Sequence, residues 1–511
     1  MILGDPSQAN GAAPGGRATL DDLFRRAALR RPDAVALVDP PNREAFTDGA
    51  PRRLTYAQAD RLITGIAGRL RRLGLQTDAI VGIQLPNTVE NVLTMLGVLR
   101  AGMIAAPMPL LWRRGDLVTT LSRLGAKILI TCGHVGAADH ASLAMHAAAD
   151  IFPIRYVCAF GGDIPDGVIP LDDLYTTEKL EPPPPMSRER GDNPAAHLAL
   201  ITWDTEPNGL VPVARNHMEI IAGGLSTLLE GRFEQDTSFL STVAPSSFAG
   251  TVLTILPWLL TGGTLALHQP FDPETLAAQL SEDCAVAILP GPVVPQLAAA
   301  GLFANAQNLK TVLGLWRSPE RLNAAAAWRE DNVAFLDVIA FGEACTIATR
   351  RGASGKPAPI PFGAITAPRG AAGAILVAEL TRTDVGTLAL RGPMVPRHCF
   401  PPGADRDSLP YFKTAEGLVD TGFTCRVDRD TRTMIVTGPP PGIVAVGGYR
   451  FPLHELQNLL AAAEGGGRIA VLPNALSGQQ LAGCADNAET VRAALAQRGV
   501  NPLVSAAFAA P

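Results

Sequence analysis

Residues 201–217, ITWDTEPNGLVPVARNH, place the carboxylates of Asp204 and Glu206 just beyond an apolar run at 197–201 that reads as a strand. A loop that cradles phosphate offers glycine amides, small hydroxyls and a lysine charge. Here Pro207 and Pro212 lack N–H donors, and the two acids stand where a polyanion would lie. The stretch should therefore repel a triphosphate. It reads as a solvated turn between strand and helix, with a rebuilt site for a cationic or metal ligand as the alternative that the acid pair leaves open.

Other reactive side chains give less. Cys345, in Phe341-Gly342-Glu343-Ala344-Cys345, has no neighbour in sequence to lower its pKa and reads as a small buried residue. The 7 cysteines form no CxxC pair and are odd in number, so neither a zinc site nor a disulfide framework is expected, no metal is assigned, and a reducing cytoplasm fits best. Arg426 and Asp428 read as a surface ion pair or a turn. In Pro439-Pro440-Pro441-Gly442, consecutive prolines with φ near −65° favour a stiff, extended connection.

The elements that must position these residues follow from periodicity. A chain of 511 residues exceeds one compact core, and 47% hydrophobic with 18% charged residues describes a globular protein. A net charge of −5 gives no basic footprint for nucleic acid. No run approaches the roughly 20 apolar residues of a transmembrane segment, and the N-terminus has no signal-peptide pattern. After a disordered lead at 1–16, Thr19 caps a first helix, and Leu62, Ile66, Leu70 and Leu73 share one face of a second. Strands and helices then alternate, which predicts parallel sheets covered by helices. A Pro-rich surface connection at 181–195 separates two such rounds, and helices are expected near 253–260, 273–280 and 320–330. From Gly373 short turn-bounded strands predict a small barrel.

The order of these elements, with LTYAQADRLITGIAGRLRRLGLQTDAIVGIQLPNTVENVLTMLGVLRAGMIAAPMPL, LTGGTLALHQPFDPETLAAQL, LRGPMV, EGLVDTG and IVAVGGYRFPLHELQNLL, resembles the adenylate-forming superfamily of acyl-CoA synthetases, luciferases and peptide-synthetase adenylation domains. The resemblance implies an α/β fold: a large N-terminal domain at 17–438 made of two α/β subdomains and a small β-rich barrel-like subdomain, a hinge at 439–442, and a truncated α/β C-terminal subdomain at 443–511.

It also implies a site that this chain departs from. Family members hold ATP phosphates in T-S-G-T-T-G-x-P-K-G. Counted back from His217, the corresponding stretch is Trp203-Asp204-Thr205-Glu206-Pro207-Asn208-Gly209-Leu210-Val211-Pro212, with Val211 in the lysine's place. In the aromatic-Gly-x-Thr-Glu motif, Phe341 and Gly342 persist while Ala344 and Cys345 replace the hydroxyl and the magnesium-binding carboxylate. Glu343 could serve a metal only by turning inward. Phe423 stands for the ribose-binding acid, Gly438 to Gly442 lack the charged residues before the hinge, and no lysine follows Lys413 to contact an acyl-adenylate. Near the family's acyl pocket, His217, Phe248, Gly250, Trp316 and Phe341 leave room for an apolar pocket.

Charge-assisted hydrogen bonds contribute about 1.5–3 kcal/mol each, so losing several removes about 5–10 kcal/mol, comparable to the roughly 8 kcal/mol that binds a micromolar ligand. The resulting expectation is an acyl-CoA synthetase-like pseudoenzyme that needs no cofactor and binds an acyl or carboxylate ligand or a protein partner. One alternative is an active carboxylate–CoA ligase using ATP, Mg and CoA at a rebuilt site, for which Arg215 and Lys413 are the nearest cations. The other is a regulatory subunit of an active homologue.

Overall fold

The computed structural model describes residues 16–177, 181, 183–186, 193–330, 332–397, 400, 417–463 and 466–508. Nearly all of the expected lead, parts of the Pro-rich connection and Lys413 lie outside them. Thr19 caps the helix Leu20–Arg30 reciprocally with Asp22. In the helix Tyr56–Arg72, Leu62, Ile66 and Leu70 are buried as their spacing predicts. Leu73 falls past the last turn and is only partly buried. The helix Val89–Arg100 packs closely because Gly97 faces Ile66: a Cβ there would lie 2.6 Å from Ile66 Cγ2.

Two large sheets flank the main core, a 7-stranded one built mostly from the first α/β round and an 8-stranded one dominated by the second. Their inner strands pair in parallel, as the strand–helix alternation requires. A 6-stranded antiparallel sheet spans Ile360 to Gly438, and a 4-stranded one, with the helix Leu453–Ala461, forms the C-terminal part.

Three local expectations change. The helix expected over 320–330 is a short 3-10 helix, Pro319–Ala324. Beyond it Trp328 bonds the Gly355 carbonyl through its backbone N–H and packs its ring on Phe303 and Phe335, a tertiary demand that overrides helix propensity. The proline run is not extended to its end: Ile443 N–H donates to Pro440 O around Pro441 and Gly442, whose φ is 79°. Proline followed by a positive-φ glycine is the pattern of a type II turn. The third change concerns residues 201–217 themselves.

Candidate functional site

The stretch expected as a turn leading to a helix is a β-hairpin. Strands Leu198–Glu206 and Gly209–Asn216 pair antiparallel on the edge of the 7-stranded sheet, with Trp203 opposite Pro212, Asp204 opposite Val211 and Glu206 opposite Gly209. Only Pro207 and Asn208 remain in the exposed turn, closed by Gly209 at φ 113°. Proline at the first turn position and Asn-Gly after it suit such a connection. Amides that would face a phosphate in an open loop are engaged in the strand ladder instead.

Asp204 is not solvated. Its side chain is 11% exposed and forms an ion pair at 2.7 Å with Arg450, itself 13% exposed. Asp204 also accepts the backbone N–H groups of Glu343 and Thr205, both at 2.8 Å. Arg450 comes from a second hairpin, strands Ile443–Val446 and Tyr449–Pro452. Its turn residues Gly447 and Gly448 have φ of 57° and 99°, the left-handed pair that a tight two-residue hairpin requires. The Arg450 guanidinium also lies 5.1 Å from the Phe423 ring, and the Tyr449 hydroxyl accepts Leu111 N–H at 3.2 Å.

The Phe341-to-Cys345 segment is the turn of a third hairpin, Ala334–Phe341 with Cys345–Arg350. Gly342 is required there, since a Cβ would lie 2.3 Å from Asp204 Oδ2. Glu343 points inward and accepts the Phe248 N–H at 2.7 Å. Burial, reinforced by the charge of Asp204, pushes its carboxyl above the ordinary range. Ala344 is buried, and the Cys345 thiol is pushed up to about 12 by burial, beside Met394 Sδ at 3.5 Å. Phe423 is buried edge-to-face on Phe341 at 6.0 Å. Arg426 is exposed, while Asp428 accepts the N–H groups of Asp430 and Thr431 and so organises its own turn.

Together these elements wall a cleft of about 210 Å³ whose lining includes Trp112, Trp203, Asp204, Thr205, Arg317, Glu343, Tyr449 and Arg450. The indoles of Trp112 and Trp203 meet edge-on at 6.2 Å. His217, Phe248, Gly250, Trp316 and Phe341 are not among its lining residues, and all are buried. His217 Nδ1 accepts Leu20 N–H, and the Trp316 indole donates to Asp337 at 2.9 Å. A Cβ on Gly250 would strike the Ala244 carbonyl at 2.2 Å. Arg215 is completely buried, with its guanidinium 3.8 Å from the Phe248 ring and bonded to the Glu343 and Ala344 carbonyls. It braces the third hairpin from beneath.

The hairpin sets two carboxylates, Asp204 and Glu206, in the stretch compared with the phosphate loop, and the first of them takes up the charge of Arg450. Among the described residues no group of three or more His, Cys, Asp or Glu side chains could hold a metal ion. No helix of the described residues is long and apolar enough to cross a membrane.

Glu219, in the first turn of the helix His217–Gly231, accepts Asn216 and Arg397 N–H groups, both at 3.1 Å. Burial nevertheless raises its carboxyl from 4.5 to about 7. A raised folded-state value means that its contribution to stability is complete below about pH 4.5 and is lost as pH rises through about 7. Glu219→Gln is expected to remove a fall of at most about 3 kcal/mol across that window, read from denaturant melts at stepped pH.

Sequence reasoning missed Arg450, Tyr449 and Arg317. The Gly447-Gly448 pair between alternating apolar residues was the available signal for the hairpin that carries Tyr449 and Arg450.

Residues 24–196 match the AMP-binding enzyme family. Over 477 residues the chain is 25% identical to the 2-hydroxy-7-methoxy-5-methyl-1-naphthoate--CoA ligase of Streptomyces carzinostaticus, covering 88% of this chain and 79% of that protein. It is 26% identical over 271 residues to long-chain fatty acid transport protein 1 of Homo sapiens, which spans 52% of this chain and 39% of that protein. In fold it is similar to the amide bond synthetase McbA from Marinactinospora thermotolerans, with a TM-score of 0.72, 17% identity and coverage of 95% of this chain and 94% of that one. By its AMP-binding family match over residues 24–196 and its likeness to these relatives, the chain resembles the adenylate-forming superfamily, whose fold it shares.

Proposed function

We propose that this protein is an acyl-CoA synthetase-like pseudoenzyme that binds an acyl or carboxylate ligand in its cleft and does not activate it with ATP, Mg and CoA. The observation that supports this reading is the pair formed by Asp204 and Arg450: a carboxylate in the phosphate stretch is answered by an arginine of the C-terminal hairpin. Where relatives would place a polyanion, two parts of one chain neutralise each other. A cytoplasmic protein is proposed on the cysteine pattern, and a protein partner remains the alternative occupant.

A second reading, an ATP-dependent carboxylate–CoA ligase with a rebuilt site, draws on Glu343. It faces the cleft and would be the carboxylate available to a magnesium ion. Its bond to Phe248 N–H and its raised pKa both work against that role, because a metal needs the ionised, free oxygen.

Pyrophosphate release, followed with ATP, magnesium and a panel of aliphatic and aromatic acids, separates the two. Acid-dependent release above the no-enzyme rate would establish the ligase and end the pseudoenzyme reading; release indistinguishable from background is expected.

A further inference from the structure

Arg317 follows the strand Thr311–Trp316 and enters the cleft beneath the Gly447-Gly448 turn, where a Cβ on Gly448 would lie 2.7 Å from its Cδ. Its guanidinium donates to Ser247 Oγ at 3.0 Å, and among the described residues it has no ion pair within 4.0 Å. A guanidinium withdrawn from water retains several N–H donors that need acceptors, and its charge needs an anion. Glu343 is the carboxylate that acts on it most strongly, but Glu343 is held by Phe248 N–H and driven toward its neutral form by burial. Arg450, the neighbouring cation, has its counter-ion in Asp204. Arg317 is thus a partly buried cation at a cavity wall, bonded among the described residues to a single side-chain hydroxyl.

The rest of the cleft limits which anions Arg317 can take. Its walls include the indoles of Trp112 and Trp203. Phe248, Phe341 and Trp316, the residues that the family resemblance puts near an acyl pocket, are packed into the core at 0%, 0% and 3% exposure and leave no apolar channel among themselves for a long chain to enter from this cleft's lining. A volume of about 210 Å³ lies below the roughly 300–1,000 Å³ of pockets that take drug-sized ligands. A carboxylate matches the planar fork of arginine, and a flat ring matches aromatic walls.

We propose that Arg317 anchors the carboxylate of a compact aromatic acid, of benzoate size, within this cleft. The proposal rests on the reading of the chain as a carboxylate binder.

Titration calorimetry of the full chain with benzoate, octanoate and inorganic phosphate tests it on the wild type, Arg317→Gln and Arg317→Lys, each checked for a cooperative thermal transition. Benzoate is expected to bind the wild type, at least tenfold more weakly to Arg317→Gln, with partial recovery in Arg317→Lys. Octanoate is expected to bind at least tenfold more weakly than benzoate. If Arg317→Gln does not fold, Arg317→Lys carries the test, with a several-fold loss expected. Benzoate affinity unchanged by the substitutions would overturn the anchor while leaving carboxylate binding intact. Octanoate binding as tightly as benzoate would overturn the size limit. Phosphate binding alone would overturn the aromatic acid, and no binding of any carboxylate by the folded wild type would overturn both the anchor and the reading beneath it.

Discussion

Arg450→Ala is expected to lower stability by about 3 kcal/mol and to make residues 443–508 more susceptible to limited proteolysis. The arginine and Asp204 are 13% and 11% exposed, so the pair lies nearer the buried than the surface limit, where exposed pairs are worth under about 1 kcal/mol. Removing the cation leaves the Asp204 charge desolvated without its arginine, although the backbone N–H groups of Thr205 and Glu343 still donate to it. It also removes the cation packed over Phe423. The same logic predicts recovery: Asp204→Asn combined with Arg450→Ala should cost less than the sum of the singles, because an amide bears no charge to strand. Denaturant melts of the four chains in this cycle check it. A loss below about 1 kcal/mol with no coupling would mean that the hairpins merely touch.

A larger loss, about 3–5 kcal/mol, is expected for Arg351→Ala. Arg351 and Asp337 are 2% and 0% exposed and pair at 2.7 Å, and Asp337 also accepts the Trp316 indole N–H. Burial already raises the Asp337 carboxyl against the pull of Arg351, so without the arginine the group must protonate or remain as an uncompensated charge in the core. Trp316 precedes Arg317, so the defect should also reach the cleft. Denaturant melts measure the loss, and weakened quenching of tryptophan fluorescence by benzoate would report the displaced indole and its neighbour. Asp337→Asn with Arg351→Met, which removes both charges while keeping bulk, should be far milder.

Much of the scaffold was legible because local signals and tertiary demand agree. Thr19, the Leu62-to-Leu70 face and the apolar strand runs read directly as caps, buried stripes and parallel strands. The 320–330 segment misled because helix-forming alanines there answer to Trp328, whose partners Gly355 and Phe303 are remote in sequence. The phosphate stretch misled differently. A gapless comparison with a loop motif hid the Asn208-Gly209 signal that closes a hairpin, although the strand-like residues on both sides were visible. That Asp204 and Glu206 disfavour a polyanion follows from charge alone. The partner of Asp204 does not, since Arg450 lies 246 positions away and only the register of two hairpins brings it there. The inward turn of Glu343 was not legible either: its side chain faces the interior because the backbone reverses at Gly342, whose φ is 58°.

The most direct test is titration calorimetry of ATP with magnesium into the intact chain, with a cooperative thermal transition as proof of fold. A phosphate stretch closed into a hairpin and charge-paired to Arg450 predicts no saturable heat at micromolar concentrations. Stoichiometric binding in the micromolar range would contradict it and show that the nucleotide site has been rebuilt.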